Sequence, residues 1–91
     1  MQLASIIANR VDTAAEPPAR LVLLCRMAGV NYSEIERACG LGRGVISSYV
    51  GGRAYAYPRL KEAVADYLAI ALGADWMDVY EYLFPDNGPA P

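Results

Sequence analysis

The sequence predicts an all-α protein: a compact five-helix domain preceded by an additional short N-terminal helix. Apolar residues recur at i, i+3 and i+4 in each segment, and no stretch alternates with the period that marks a strand. Glycines stand where the apolar runs end, at Gly29, Gly40, Gly51, Gly52 and Gly73, the places where a left-handed residue closes a helix. Between Gly29 and Gly52 the chain reads GVNYSEIERACGLGRGVISSYVGG. That is helix, glycine turn, helix, glycine stop, the layout of a helix-turn-helix.

Ninety-one residues suit one domain with a modest core. Residues 1–18 are expected to form an N-terminal amphipathic helix and linker, 19–84 the helix-turn-helix domain, and 85–91 a disordered tail. In the first segment Leu3, Ile6, Ile7 and Val11 make one apolar stripe. So short a helix is marginal alone, so it must pack on the domain, on a second copy or on another protein. Helix one is expected from about Pro18 to Ala28, with Leu21, Leu24, Cys25 and Ala28 inward and Pro at its first turn. Helix two begins at Asn31 or Tyr32 and ends near Cys39. Asn31 is its cap, with Glu34 three residues on completing a capping box. Ile35, Ala38 and Cys39 are its expected inner face. Leu41 plugs the turn, and helix three runs from about Arg43 to Val50, with Val45, Ile46 and Tyr49 inward. Pro58 opens helix four, to Leu72, on a stripe of Leu60, Val64, Tyr67, Leu68 and Ala71. Asp75 caps helix five, which presents Trp76, Val79, Tyr80, Leu83 and Phe84.

The net charge of −2 hides a segregation. From Arg20 to Lys61 seven Lys/Arg face two Asp/Glu, whereas from Glu62 to Pro91 there are six acids and no base. The chain has no histidine and two cysteines, Cys25 and Cys39. Neither CxxC spacing nor imidazole is available for a metal. The expected role of both thiols is that of small buried hydrophobes in a reducing compartment. Histidine, the commonest general base, is absent, and Ser5, Ser33, Ser47 and Ser48 have no activating partner in sequence. No catalytic residue, no metal and no cofactor are therefore expected. The absence of an 18-residue apolar run excludes a membrane span, and the N-terminus lacks the basic start of a signal peptide. A cytoplasmic, or host-cell intracellular, location is the expectation.

Residues Leu21 to Phe84 resemble the lambda-repressor-like, Cro-type (XRE-like) helix-turn-helix family. Gly29, Val30, Ile35, Gly40, Leu41, Ile46, Ser47 and Gly52 match its pattern at the family's spacing. Pro58 and the LAIALGADW segment, Leu68 to Trp76, match its ending. The resemblance implies a five-helix DNA-binding domain acting as a transcriptional regulator of repressor or Cro type, and dimerisation on DNA. The brevity of the chain resembles a phage or mobile-element regulator more than a ligand-sensing repressor. Three features depart from the pattern. Glu36 stands where the family has a small alanine, and Gly42 replaces the Ser/Thr cap of the recognition helix. Gly44, expected inside that helix, costs roughly 1 kcal/mol in propensity. It either loosens the helix or permits close backbone approach. The N-terminal helix is an addition to the family's domain.

With helix three in the major groove, the base-reading candidates are Arg43, Gly44, Ser47 and Ser48. A guanidinium at Arg43 suits guanine O6 and N7, or it contacts phosphate. Both serines are bonding candidates for bases or phosphates, or tie back to the helix backbone, Ser47 being the nearer to a structural role. Phosphate contacts are expected from Asn31, Tyr32, Arg53, Tyr55 and Arg59, with Arg37 and Lys61 behind them. Tyr55 and Tyr57 touch sugar-phosphate or cover helix four. Ile6, Ile7, Trp76, Tyr80 and Phe84 are candidates for a dimer or partner surface, although the first reading of the last three is core. The expected partner is double-stranded DNA at a pseudo-palindromic operator, bound by a homodimer. The alternative is a protein-interaction module, antitoxin-like or anti-repressor, on the same scaffold.

Overall fold

The computed structural model describes residues 16–85. They form five helices: α1 Pro17–Ala28, α2 Tyr32–Cys39, α3 Val45–Val50, α4 Pro58–Leu72 and α5 Trp76–Leu83. No strand occurs among the described residues, so the all-α class holds. The expected N-terminal helix, with Ile6 and Ile7, and the tail 86–91 lie outside the described residues.

Local chemistry sets the helix boundaries. Pro17 and Pro18 open α1 and Pro58 opens α4, at positions whose N–H has no intrahelical partner to lose. The Asn31 box is complete: the side-chain oxygen accepts the Glu34 N–H at 2.9 Å, and the Asn31 N–H donates to Glu34 Oε1 at 3.0 Å. Asp75 Oδ1 accepts the N–H groups of Met77 and Asp78 at 2.9 and 3.3 Å. Gly29, Gly40 and Gly73 close α1, α2 and α4 in the left-handed region, which costs glycine nothing.

α4 packs along α5, α1 lies against both, and α2 and α3 attach through α4 and α1. Leu21, Leu24, Ile35, Ile46, Leu60, Val64, Leu68, Val79 and Leu83 are fully enclosed between them. Arg20 ties α1 to α5: its Nη1 donates to the Tyr82 carbonyl at 2.8 Å, and its guanidinium sits 5.0 Å from the Tyr82 ring centroid. Both cysteines are free thiols. Cys25 is buried, and burial pushes its pKa up to about 11. Cys39 is only half-buried, its Sγ 3.8 Å from the Ala63 carbonyl.

Three sequence expectations need correction. Ala38 and Ala71 are exposed, while Glu36, Ala65 and Ala69 are buried; the rest of the expected stripes of α2 and α4, Ile35, Leu60, Val64 and Leu68, is enclosed as expected. Helix α3 starts at Val45, two residues later than expected. Gly44 is therefore its N-cap rather than an interior residue, and the left-handed φ of +82° there cannot belong to a helix turn. Of the two roles open to Phe84, core or partner surface, its 6% exposure selects the core.

Candidate nucleic-acid interface

The segment with the most unusual local chemistry is α2, the turn Gly40 to Gly44, and α3. Six residues are too few for α3 to be stable alone, and its N-cap, Gly44, offers no side-chain oxygen. The Val45 N–H donates to the Gly42 carbonyl at 3.3 Å within the turn, and two N–H groups beside it are satisfied from another helix. Glu36 on α2 is 6% exposed. Its Oε1 accepts the Gly44 N–H at 3.1 Å and its Oε2 the Ile46 N–H at 3.0 Å. A carboxylate at a helix N-terminus is favoured by the helix dipole as well as by the two hydrogen bonds. The turn lacks a capping side chain of its own, and Glu36 supplies one from α2. The turn is closed from the same residue, since the Leu41 N–H donates to the Glu36 carbonyl at 2.9 Å.

Ile46 and Tyr49 are the buried side of α3. Its other side and the chain around it are open: Arg43, Ser47, Gly51, Gly52, Arg53, Ala54 and Tyr55 are exposed, Tyr55 to 95%. Ser48 is half-buried. The order expected for the two serines is therefore reversed, Ser47 being the freer to meet a ligand. Arg43 sits in the turn ahead of α3, where it lines a cleft of about 360 Å³ with Ser33 and Arg37 of α2. Glu36 also lines this cleft, but its two oxygens are bonded to N–H groups of α3.

The other cations are anchored differently. Arg53 folds back over Gly51, its Nη2 3.3 Å from the Ser47 carbonyl. It lies at the C-terminal end of α3, where a cation is favoured. Arg59 does the same for α2, donating from Nη2 to the Cys39 carbonyl at 3.0 Å. Lys61 stands over the Phe84 ring at 5.6 Å from its centroid, on the α4–α5 side. Tyr32 is half-buried against the core, and burial, followed by the nearby Cys25, raises its pKa against the opposing effect of Arg26. The side-chain oxygen of Asn31 is spent on its own cap.

Arg43 and Arg37 thus share one cleft, and Arg43, Ser47 and Arg53 share the open side of α3 and its ends. Lys61 and Tyr32 join neither group. Gly44 brings backbone, not a side chain, to the start of α3. Trp76 and Tyr80 are half-buried, their rings stacked at 4.8 Å. Sequence reasoning missed the capping role of Glu36 and the place of Ser33 beside Arg43. The signal for the first was present: a glycine-rich turn without a cap, following an acid on the inner side of α2.

Among the described residues no three His, Cys, Asp or Glu side chains gather to hold a metal. No described helix is long and apolar enough to cross a membrane. Comparison of the chain with protein-family models, curated proteins and solved structures gives no match.

Proposed function

We propose that this chain is a sequence-specific double-stranded DNA-binding regulator of repressor or Cro type. In this reading α2, the glycine turn and α3 are the helix-turn-helix of a lambda-repressor-like domain, and α3 reads the major groove. One observation carries the reading. From Arg37 to Lys61 there are five Lys/Arg and no Asp/Glu, and the acid just before them, Glu36, is buried with both carboxylate oxygens bonded inward. The open side of α3 therefore presents cations, a hydroxyl and bare glycine backbone, with no opposing carboxylate of its own. Phosphate is attracted to such a face and released from it by salt.

Arg43 and Ser47 are the base-reading pair in this proposal, with Ser48 and Gly44 beside them. Arg37, Arg53 and Tyr55 contact the phosphates, and Arg59 acts mainly by closing α2. One domain reads a short half-site, so a pseudo-palindromic operator is bound by two copies about one helical turn apart. The test is fluorescence anisotropy of the full chain with the DNA flanking its own gene and with a scrambled duplex, at two salt concentrations. Tight, salt-sensitive binding that prefers the native duplex is expected. Equal weak binding to both duplexes, or none, would sink the proposal.

A further inference from the structure

A second surface of different chemistry lies where α5 meets α4. Trp76 and Tyr80, one turn apart on α5, stack at 4.8 Å with 30° between their planes, and Tyr80 in turn sets its edge on Phe84 at 5.5 Å. Beside them Met77 is 51% exposed. Together they form one wall of an open cleft of about 580 Å³ that Glu62 of α4 and Glu81 of α5 also line. Both carboxylates are exposed. Trp76 and Glu62 also line a second recess, together with Asp66. Arg59 lines this second recess as well, its Nη2 donating to the Cys39 carbonyl, and Lys61 stands over the Phe84 ring. No Lys or Arg follows Lys61 in the chain.

The aromatic faces and carboxylates select the occupant. A phosphate-bearing ligand is repelled by Glu62, Glu81 and Asp66. A purely apolar segment would cover Met77 and the rings but leave carboxylates facing it without partners, which is costly. A side chain with an apolar stem and a cationic head satisfies both parts. Indole is the best aromatic face for a cation, and a guanidinium stacks on it while bonding carboxylates at its edge.

We propose that the α4–α5 cleft docks a basic amphipathic segment of another protein, an Arg or Lys stacked on Trp76 between Glu62 and Glu81 with an apolar neighbour on Met77. This surface is chemically opposite to the α3 face and does not depend on the DNA reading. It gives the domain a way to hold a cationic protein while its basic side is engaged elsewhere.

Trp76 is the chain's single tryptophan, so its emission reports on the cleft directly. The full chain is titrated, without DNA, with a short synthetic amphipathic Arg/Leu peptide and with its Glu/Leu counterpart. A saturable change in Trp76 emission with the Arg/Leu peptide alone is expected. The double variant Glu62→Gln, Glu81→Gln changes two exposed side chains, and it should weaken that binding about tenfold. The absence of a saturable change, an equal response to both peptides, or unaltered binding by the double variant would overturn the proposal. So would an emission that shifts with protein concentration alone, which would assign the cleft to a second copy of the chain.

Discussion

Glu36 on α2 holds the start of α3 through Ile46: its Oε2 accepts the Ile46 N–H at 3.0 Å inside the core, where Ile46 is fully enclosed. The same carboxylate takes the Gly44 N–H at 3.1 Å. One buried side chain therefore sets where α3 begins and how it is attached to α2.

Glu36→Ala is expected to cost about 2–3 kcal/mol, because it removes a charged acceptor and leaves a buried N–H unpaired. Glu36→Gln, which keeps one acceptor oxygen, should cost less. Urea unfolding checks the order. Amide exchange should show the Ile46 N–H losing protection first in the alanine variant. If α3 positions base-reading groups, DNA affinity should fall further than global stability explains. Equal stability of Glu36→Ala and wild type would refute the capping role.

Gly44 has φ of +82° and nothing within 4 Å of the position a Cβ would take. Substitution there meets no clash, so its cost is purely conformational. Gly44→Ala should lose about 1–2 kcal/mol in thermal or urea unfolding. Gly44→Asn should lose less, since asparagine tolerates the left-handed region. A neutral alanine would mean that the turn relaxes to another conformation.

The two exposed arginines flanking α3 are predicted to behave differently. Arg43→Ala should reduce discrimination between operator and scrambled duplex by about 1–3 kcal/mol. Arg53→Ala should weaken both duplexes alike and lower the slope of log K against log salt by about 1. Binding isotherms over a salt series separate the two. Should Arg43→Ala instead weaken both duplexes equally, Arg43 would join Arg37 as a phosphate contact, in keeping with the cleft they share.

Alkaline pH should destabilise the domain through its buried thiol. Below the ordinary thiol pKa of 9.0 both the folded and unfolded chains carry the Cys25 proton, and its contribution is complete. Between 9.0 and about 11 the unfolded chain ionises while the folded one does not, so stability is lost as pH rises. Two pH units correspond to about 2–3 kcal/mol. Cys25→Ala should make that part of the stability profile shallower, leaving the slope of Cys39, whose pKa burial also raises. Tyr49, whose pKa burial also raises, leaves a residual slope at higher pH.

Much of the fold was legible in the sequence because its signals are local. Asn31 with Glu34, Asp75, Pro58 and the stop glycines act within one turn of themselves, and four helices begin and end within a residue of where those signals predict. The start of α3 was misplaced because its cap comes from Glu36, on a different helix and ten residues before Ile46. Ala38 and Ala71 were assigned inward because small apolar residues fit either side of a helix, and only the neighbouring helices decide which side is covered.

The same division applies to function. The sequence by itself determined the all-α class, the segregation of a basic middle from an acidic end, and the candidate cations, since composition and 3.6-residue periodicity need no third dimension. Only the tertiary structure decided what each charged group does. It turned Glu36 inward onto backbone N–H groups, set Arg53 and Arg59 on helix C-terminal carbonyls, brought Arg43 into one cleft with Arg37, and grouped Trp76 and Tyr80 with Glu62 and Glu81. Those outcomes depend on distances between residues on different helices and turns, and charge and hydrogen bonding act through distance rather than through position in sequence.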